Sequence, residues 1–443
     1  MGLALAVLVC AGLAAAAPPG VEEVWQARYD GGDVDFAADL ALDGAGNAYV
    51  TGESYQTFHD VLTVKYDASG QQLWAARYDG PGHRYDSGSA VAVDADGNVY
   101  VTGSSENANG VPDYVTLKYD AGGTLLWARR YDGGAGHYDA AAELVLDSAG
   151  NVYVTGTSDA GRRWGDYLTV KYAPDGTLVW KARTSGRGGH HDRAGTVRLD
   201  STGNVYVTGE MYVSTENYYD FATVKYDPQG AELWRRTYDS PKVPGGLDSA
   251  YAMEVDAAGN VYVTGESLGK GPGCCTQDWA TLKYDTDGEL LWARRYDGST
   301  SGQDIPSDLT LDPSGNVIVT GQATNPTHDI GTIEYSPAGK VVWKSILDVG
   351  GLDEGGGAVT TDANGNVYVA AFRNDEDSES DWYTFRLDRK GHMVWNISHN
   401  GPANFIDFPS SIAVDSKGFV IVTGTDWGNL PDYVTIKYRQ VRR

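Results

Sequence analysis

The chain has 443 residues, a formal charge of −26 at pH 7, 57 glycines, 29 tyrosines and three cysteines. Nucleic acids and anionic membranes bind basic surfaces, so this acidic balance excludes both as ligands and favours cations or cationic surfaces. Abundant glycine, tyrosine and valine are typical of short strands joined by tight turns. We therefore expect an all-β protein.

An apolar run, LALAVLVCAGLAAAA, occupies residues 3–17 and ends in small residues. It is too short to span a bilayer as a helix, and its composition is that of an export signal. Residues 1–17 are therefore interpreted as a signal peptide and residues 18–443 as a single domain. We expect no transmembrane segment in that domain, which would be secreted, periplasmic or attached to the cell surface.

One pattern then recurs at intervals of 50 to 56 residues. Similarity at a fixed period indicates units that bury their apolar faces against one another. A D-x-x-G-N turn marks eight copies, starting at Asp43, Asp94, Asp147, Asp200, Asp256, Asp312, Asp362 and, in a variant form, Asp415. Eight tryptophans give the same count: Trp25, Trp74, Trp127, Trp180, Trp234, Trp292, Trp343 and Trp395.

Each copy predicts four strands. In the copy from Asp86 to Gly133 they are residues 90–93, 99–102, 113–119 and 125–131. Four antiparallel strands per repeat are typical of a β-propeller blade. The chain begins on a fourth strand and ends on a third, so the N-terminal fourth strand should join the three C-terminal strands. We therefore predict a closed, eight-bladed β-propeller without exposed sheet edges at the seam.

The elements GNVYVTG, at residues 97–103, and YDAGGTLLW, at residues 119–127, resemble the bacterial β-propeller repeat called SBBP. The resemblance extends over essentially the whole mature chain. It implies an exported or cell-surface bacterial protein with the general architecture of quinoprotein and WD-type propellers. The SBBP name implies seven blades, whereas this sequence contains eight copies.

At one end of the predicted blades lie the connections between strands two and three and the connections between successive blades. Two acidic positions recur at this end in every copy. We call this end the top face and the opposite end, with the hairpin turns, the bottom face. The first position begins each first strand: Asp35, Asp86, Asp139, Asp192, Asp248, Asp304, Glu354 and Asp407. The second begins each third strand: Asp60, Asp113, Asp166, Asp220, Asp278, Asp329, Asp381 and Asp432.

Converging carboxylates repel one another unless they are solvated, hydrogen-bonded or bridged by a cation such as Ca²⁺. Recurrence in every copy favours a role in bracing loops through backbone N–H groups. Ca²⁺ or another divalent cation is the alternative. The third-strand lysines Lys65, Lys118, Lys171, Lys225, Lys283 and Lys437 are expected to pair with carboxylates, because a lone buried ammonium is costly.

Histidines precede the first-strand aspartate in three consecutive copies. These positions suit a transition metal that activates water, although loop bracing would also explain them. The metal-ligand candidates are His83, Asp86, His137, Asp139, His190, His191 and Asp192.

Four aromatic residues lie in or beside the variable top loops, where exposed rings bind sugars or proteins. These ligand-binding candidates are Trp164, Tyr212, Tyr218 and Trp427. Cys274 and Cys275 are adjacent and form a vicinal disulfide in one interpretation, as in some quinoprotein dehydrogenases; a pair of free thiols is the other.

The function hypothesis is a monomeric, non-enzymatic scaffold that binds a protein or a carbohydrate. One alternative is a metal-assisted glycan lyase or hydrolase that uses top-face histidine and aspartate, and a second is a quinoprotein-like oxidoreductase. The sequence contains no G-x-x-x-x-G-K-[ST], H-E-x-x-H or G-x-S-x-G motif. A deep pocket that joins His137, His190 and Asp139 would favour the lyase, and a shallow, regular surface would favour the scaffold.

Overall fold

The computed structural model describes residues 20–441 apart from 135, 162–164, 214–217, 272–273, 300–301, 326, 351–352, 375–379, 403–405 and 429, with the backbone alone at 270–271 and 274–275. All regular structure within these residues is β, in 32 strands. In this part of the chain no helix is long and apolar enough to cross a membrane. The predicted signal peptide, residues 1–17, lies outside the described residues.

The first strand, β1 (Val21–Tyr29), belongs to the last sheet of the chain, and the strands that follow form four-stranded antiparallel sheets in chain order. Sheet 1 contains β2 (Asp35–Leu42), β3 (Ala48–Tyr55), β4 (His59–Tyr66) and β5 (Gln72–Tyr78). Sheet 2 contains β6 (Asp86–Val93), β7 (Val99–Glu106), β8 (Pro112–Tyr119) and β9 (Leu125–Tyr131). Sheet 3 contains β10 (Asp139–Leu146), β11 (Val152–Ser158), β12 (Asp166–Tyr172) and β13 (Leu178–Thr184). Sheet 4 contains β14 (Arg193–Leu199), β15 (Val205–Tyr212), β16 (Tyr219–Tyr226) and β17 (Glu232–Tyr238).

The second half of the chain repeats this order. Sheet 5 contains β18 (Asp248–Val255), β19 (Val261–Gly271), β20 (Cys274–Tyr284) and β21 (Leu290–Tyr296). Sheet 6 contains β22 (Ile305–Leu311), β23 (Val317–Thr324), β24 (His328–Tyr335) and β25 (Val341–Leu347). Sheet 7 contains β26 (Asp353–Thr361), β27 (Val367–Asn374), β28 (Asp381–Leu387) and β29 (Met393–His399), and a parallel bridge from His328 to Asp353 connects it to sheet 6. Sheet 8 contains β30 (Phe408–Val414), β31 (Val420–Trp427) and β32 (Pro431–Gln440) together with β1.

Both ends of the chain share sheet 8. β1 runs antiparallel to β32, with Val21 opposite Gln440 and Tyr29 opposite Tyr433. The N-terminal strand therefore supplies the fourth strand that the three C-terminal strands lack.

The turn between the first two strands of each sheet is fixed by its leading aspartate. Asp43 Oδ1 accepts the backbone N–H groups of Ala45 and Asn47, and Asp43 Oδ2 accepts the Asn47 side-chain amide. Gly46 has a φ of 84°, a conformation in which a side chain would be strained. The motif thus forms the same turn wherever it occurs.

The core lies between the sheets. Apolar side chains of each sheet form a cluster with those of the next, as Tyr49 and Val61 of sheet 1 do with Val101 of sheet 2. Clusters of this kind connect every sheet to its successor and also connect sheet 8 to sheet 1, where Ile421 contacts the group that contains Val50. The second and third strands are buried on both faces as a result.

A second contact holds neighbouring sheets together on the bottom face. Trp74 Nε1 and Lys65 Nζ of sheet 1 both donate to the carbonyl oxygen of Ala121, in the last hairpin turn of sheet 2, at 3.1 and 3.3 Å. We call this arrangement the latch. It recurs at four further junctions, on the carbonyl groups of Ala68, Pro174, Thr286 and Pro337.

The latch corrects the expectation that the third-strand lysines bind carboxylates. In the five latches the ammonium donates to a backbone carbonyl, and it also lies over an aromatic ring, as Lys65 lies 4.9 Å from the ring centre of Tyr49. Lys437 alone among these five has a carboxylate, that of Asp415, within 4 Å, at 3.5 Å. A carbonyl dipole and a π face thus stabilise most of these charges.

Candidate functional site

The acidic residue that begins each first strand holds the loop that precedes it. In sheet 2 the backbone N–H of Gly80 donates to Asp86 Oδ2 at 2.5 Å. A Cβ at Gly80 would lie 2.2 Å from Ser105 Oγ, so glycine leaves room for that side chain in sheet 2. A backbone N–H of the loop reaches the first-strand acid in all eight sheets, on Asp35, Asp86, Asp139, Asp192, Asp248, Asp304, Glu354 and Asp407.

Burial raises the pKa of several of these carboxyl groups. It raises the pKa of Asp139, Asp192, Asp304 and Asp407 to about 6, although the backbone N–H donors act in the opposite direction. The contacts of these carboxylates that recur in all eight sheets are with the backbone N–H groups of their own loops.

A fourth-strand arginine pairs with the third-strand aspartate in five sheets. In sheet 2, Arg130 Nη2 lies 2.7 Å from Asp113 Oδ2 and also donates to the backbone carbonyl of Ser105. The equivalent pairs are Arg28–Asp432, Arg77–Asp60, Arg183–Asp166 and Arg295–Asp278. These arginines neutralise largely buried carboxylates, and in sheet 2 the arginine connects three strands of the sheet.

A further aspartate, in the connection between sheets, joins these two acidic positions. Asp60, Asp79 and Asp86 have carboxylate oxygens that all lie within 4.8 Å of one another. The same arrangement occurs in the triads Asp30, Asp35 and Asp432; Asp113, Asp132 and Asp139; Asp220, Asp239 and Asp248; and Asp278, Asp297 and Asp304. The middle aspartate of these triads was not identified from the sequence. It could have been found because it always directly follows the tyrosine that ends the fourth strand.

A pocket of about 810 Å³ opens where the first strands of sheets 3, 4 and 5 reach the top face. Its polar walls are His191, Arg193, Glu210 and Glu266, and the rings of Tyr138 and Tyr251 border it. Ser249 Oγ donates to Glu210 Oε2 at 2.7 Å, and Arg193 Nη1 lies 3.5 Å from Glu210 Oε1. Burial raises the pKa of Glu266, which the Tyr251 hydroxyl partly opposes.

Two residues of this pocket differ from the equivalent residues of the other copies, and a comparison of what the copies share does not reveal them. The fourth residue of the first strand is small in seven copies, as at Ala38, Ser89 and Gly195, but is Tyr251 in the fifth. At the second residue of the same strand, the fourth copy has Arg193, the only charged residue at that position in the eight copies. The site is found by what differs between repeats.

Further along the first strands, charged side chains of several sheets meet. Arg198 binds Glu143 through Nη1 at 2.6 Å and Glu254 through Nε at 2.9 Å, which joins sheets 3, 4 and 5. Burial raises the pKa of Asp39 and of Asp308 to about 6. These two carboxylates accept backbone N–H groups of the next sheet, from Val91 and Val359.

Comparison with known proteins agrees with this architecture. A family model described as a β-propeller repeat, SBBP, matches residues 76–110, which run from β5 through β6 and β7. The chain is a β-propeller repeat protein. It resembles an uncharacterized WD repeat-containing protein of Acanthamoeba polyphaga mimivirus, with 23% identity over 83% of this chain and 31% of that protein.

A second relative of the propeller is the regulatory protein FlaEY of Caulobacter vibrioides, with 29% identity over 87% of this chain and 41% of the relative. The propeller thus spans less than half of either relative. Similar solved structures include the periplasmic gluconolactonase of Pseudomonas aeruginosa, with a TM-score of 0.46 and 15% identity over 70% of this chain and 84% of that one. The β-propeller domain of the Trilobed protease of Pyrococcus furiosus has a TM-score of 0.45 and 10% identity over 80% and 95% of the two chains.

The predicted metal-ligand histidines lie in three separate connections, those that follow sheets 1, 2 and 3. His83 Nδ1 lies 2.6 Å from Asp79 Oδ2, and His137 Nδ1 lies 3.3 Å from Asp159 Oδ2. The His190 ring lies on Tyr212, with 3.8 Å between ring centres. His191 lines the pocket, and burial lowers its pKa. The partners Asp86, Asp139 and Asp192 hold their loops, as described above.

The predicted ligand-binding aromatics have different environments. Tyr212 is buried, whereas Tyr218 is 54% exposed and Trp427 is 37% exposed. Trp427 also lies 6.3 Å from the Phe36 ring and donates its backbone N–H to Asp407. Trp164 lies outside the described residues, and the side chains of Cys274 and Cys275 do as well, so the disulfide stays a prediction.

Proposed function

We propose that the chain is an exported, closed, eight-bladed β-propeller that binds a partner and does not catalyse a reaction. The pairing of β1 with β32 supports closure, and so does the cluster that connects sheet 8 to sheet 1. The eight four-stranded sheets support the blade number. A WD repeat-containing relative is consistent with an interaction module.

The pocket between sheets 3, 4 and 5 is the observation that carries the binding proposal. It is asymmetric in an otherwise regular ring, because Tyr251 occupies a position that is small in the other seven copies and Arg193 is the only charged residue at its position in the eight copies. Two glutamates face one arginine there. Ionising Glu266 in a partly desolvated wall is unfavourable, so a cation from a partner would relieve that cost. We infer a protein partner that inserts a lysine or arginine side chain.

A carbohydrate is the second candidate. Tyr138 is 50% exposed and Tyr251 is 40% exposed, and both border the pocket. Exposed tyrosine rings stack on sugars, while carboxylates and arginine accept and donate hydrogen bonds to hydroxyl groups. The same side chains would then determine specificity.

Calorimetric titration of the purified chain with lysine-rich peptides and with a panel of oligosaccharides tests both candidates. We expect Glu266→Gln to weaken peptide binding by about tenfold, which corresponds to about 1.4 kcal/mol. Glu289→Gln is the matched control, because its carboxylate is exposed on a bottom-face turn and the same charge is lost. Equal affinities of the two variants would contradict the pocket as the site.

Activity and export have separate tests. Depolymerisation of an oligosaccharide in the presence of Zn²⁺ or Mn²⁺ would contradict a non-enzymatic scaffold and favour the lyase alternative. For export, the intact mass of the chain secreted by a bacterial host should correspond to removal of residues 1–17. A mass that includes those residues, in a chain retained in the cytoplasm, would contradict export.

A further inference from the structure

Seven of the eight third-strand aspartates have a side-chain hydrogen-bond donor or a cationic partner. Five bind the fourth-strand arginine of their own sheet. Asp381 pairs with Arg373 at 3.5 Å, and Asp329 accepts the Thr327 hydroxyl at 3.1 Å. Asp220 differs: it is 2% exposed, and among the described residues no donor reaches either oxygen of its carboxylate, of which Oδ1 is fully enclosed.

The cause is a substitution in the fourth strand of sheet 4. The arginines that bind third-strand aspartates stand three residues after the tryptophan, but that position after Trp234 is Thr237. Arg235 cannot replace the missing charge, because it binds Glu232 at 2.9 Å. Lys242, in the connection to sheet 5, reaches Asp278 at 3.6 Å instead.

Two further carboxylates face Asp220. Oxygens of Asp220, Asp239 and Asp248 lie within 4.8 Å of one another. Asp239 Oδ1 accepts the backbone N–H of Gly245 at 3.1 Å, and Asp248 accepts those of Ser240 at 2.9 Å and Leu268 at 3.1 Å. These donors orient two of the three carboxylates, as outer-shell hydrogen bonds orient metal ligands. Burial, together with repulsion from Asp239 and Asp248, raises the pKa of Asp220 to about 8.

We propose that Asp220, Asp239 and Asp248 bind one divalent cation, with Ca²⁺ as the best match, at the junction of sheets 4 and 5. Ca²⁺ prefers carboxylate oxygens and completes its shell of six to eight ligands with water. The ion supplies the positive charge that arginine supplies in the equivalent triads around Asp60, Asp113, Asp278 and Asp432. It also joins a third strand of one sheet to the first strand of the next.

Calorimetry and thermal unfolding of the EDTA-treated chain test the site, with CaCl₂ as the probe at pH 8. We expect one Ca²⁺ per chain and a higher melting temperature with Ca²⁺. Asp220→Asn should weaken binding by at least about tenfold, since even outer-shell changes cost about 10–100-fold in metal affinity. Asp113→Asn, in an arginine-paired triad, is the matched control and should leave Ca²⁺ affinity unchanged.

Thr237→Arg makes the test sharper, because it introduces the arginine that pairs with the third-strand aspartate in the equivalent triads. This variant should lose Ca²⁺ binding yet melt in EDTA at least as high as the wild type does. Absence of Ca²⁺ binding would overturn the proposal and leave a proton as the charge-balancing species. Binding unaffected by both Asp220→Asn and Thr237→Arg would overturn it as well.

Discussion

Seven of the eight bottom-face junctions of the propeller fall into two groups. At the eighth, between sheets 3 and 4, Trp180 donates to the Pro228 carbonyl at 3.0 Å, and no lysine bond accompanies it among the described residues. Five have the complete latch, in which a lysine and a tryptophan of one sheet share a turn carbonyl of the next. The two junctions on either side of sheet 7 have no such bond among the described residues, because Glu334 and Arg386 replace the lysine. Trp343 and Trp395 are as buried as the latched tryptophans, at 8% and 3% exposure.

The difference between the two groups separates the apolar packing of the tryptophan from its hydrogen bond to the turn carbonyl. Latched and unlatched tryptophans both pack on a glycine of the neighbouring segment: Trp127 on Gly176, Trp343 on Gly391 and Trp395 on Gly20. Apolar contact is therefore common to all junctions, and the hydrogen bonds are confined to those with lysine. Sheet 7 should be the sheet that is least firmly attached to its neighbours.

The largest effect should come from truncating a latched tryptophan. Trp127→Ala removes a buried ring and a hydrogen bond, and it should lower the free energy of unfolding by about 3–5 kcal/mol. Trp343→Ala removes a ring of similar burial without the turn hydrogen bond, and the loss should be smaller by about 0.5–1.5 kcal/mol. Equilibrium unfolding in urea measures both.

The phenylalanine variants isolate the hydrogen bond. Trp127→Phe keeps an aromatic ring but leaves the Pro174 carbonyl with one donor fewer, whereas Trp343→Phe removes no turn hydrogen bond. Equal losses in the two phenylalanine variants would mean that the latch does not stabilise the junction.

An intermediate effect is expected from the lysine. Lys118 Nζ lies 3.1 Å from the Pro174 carbonyl and 4.9 Å from the centre of the Tyr100 ring. Lys118→Met should lower the free energy of unfolding by about 1.5–3 kcal/mol, the range for hydrogen bonds of charged groups. Arg386→Met is the comparison at an unlatched junction, where the guanidinium lies over Tyr368 at 5.9 Å; the expected loss is about 0.5–1 kcal/mol. A larger loss for Arg386→Met would reverse the proposed order of the two junctions.

The repeat made much of the fold predictable from sequence. The D-x-x-G-N turn, the four strands of each copy and the all-β class follow from local patterns, because the aspartate and the positive-φ glycine act within five residues. The lysine partner was not predictable in the same way. Ala121 is 56 residues from Lys65, and the pairing depends on how one sheet is placed against the next.

The candidate site was harder to predict, since averaging over copies hides it. Tyr251 and Thr237 are single departures from the repeat, and each matters only because of neighbours in other strands or sheets. Tyr251 lines the pocket together with residues of sheets 3 and 4, and Thr237 leaves Asp220 without an arginine. Recurrent residues such as Asp86 hold loops and carry little information about the ligand.

The smallest effect concerns the pH dependence of an unlatched junction. Burial and repulsion from Asp312 raise the pKa of Glu334 above its ordinary value of 4.5. The folded protein then holds this proton more tightly than the unfolded chain, so the free energy of unfolding decreases as the pH rises from 4.5 through the raised pKa. Glu334→Gln should abolish this decrease and, at pH 7, raise the free energy of unfolding by about 1 kcal/mol, the scale of one net hydrogen bond.

Comparison at two pH values separates this electrostatic effect from a change in packing. At pH 4, below the ordinary pKa of 4.5, Glu334 is mostly protonated in both the folded and the unfolded chain, so Glu334→Gln should be nearly neutral there, while Asn316 keeps an acceptor in the glutamine amide oxygen. A gain of the same size at pH 4 and pH 7 would point to packing. A loss at pH 7 would mean that the carboxylate stabilises sheet 6 by accepting the Asn316 amide.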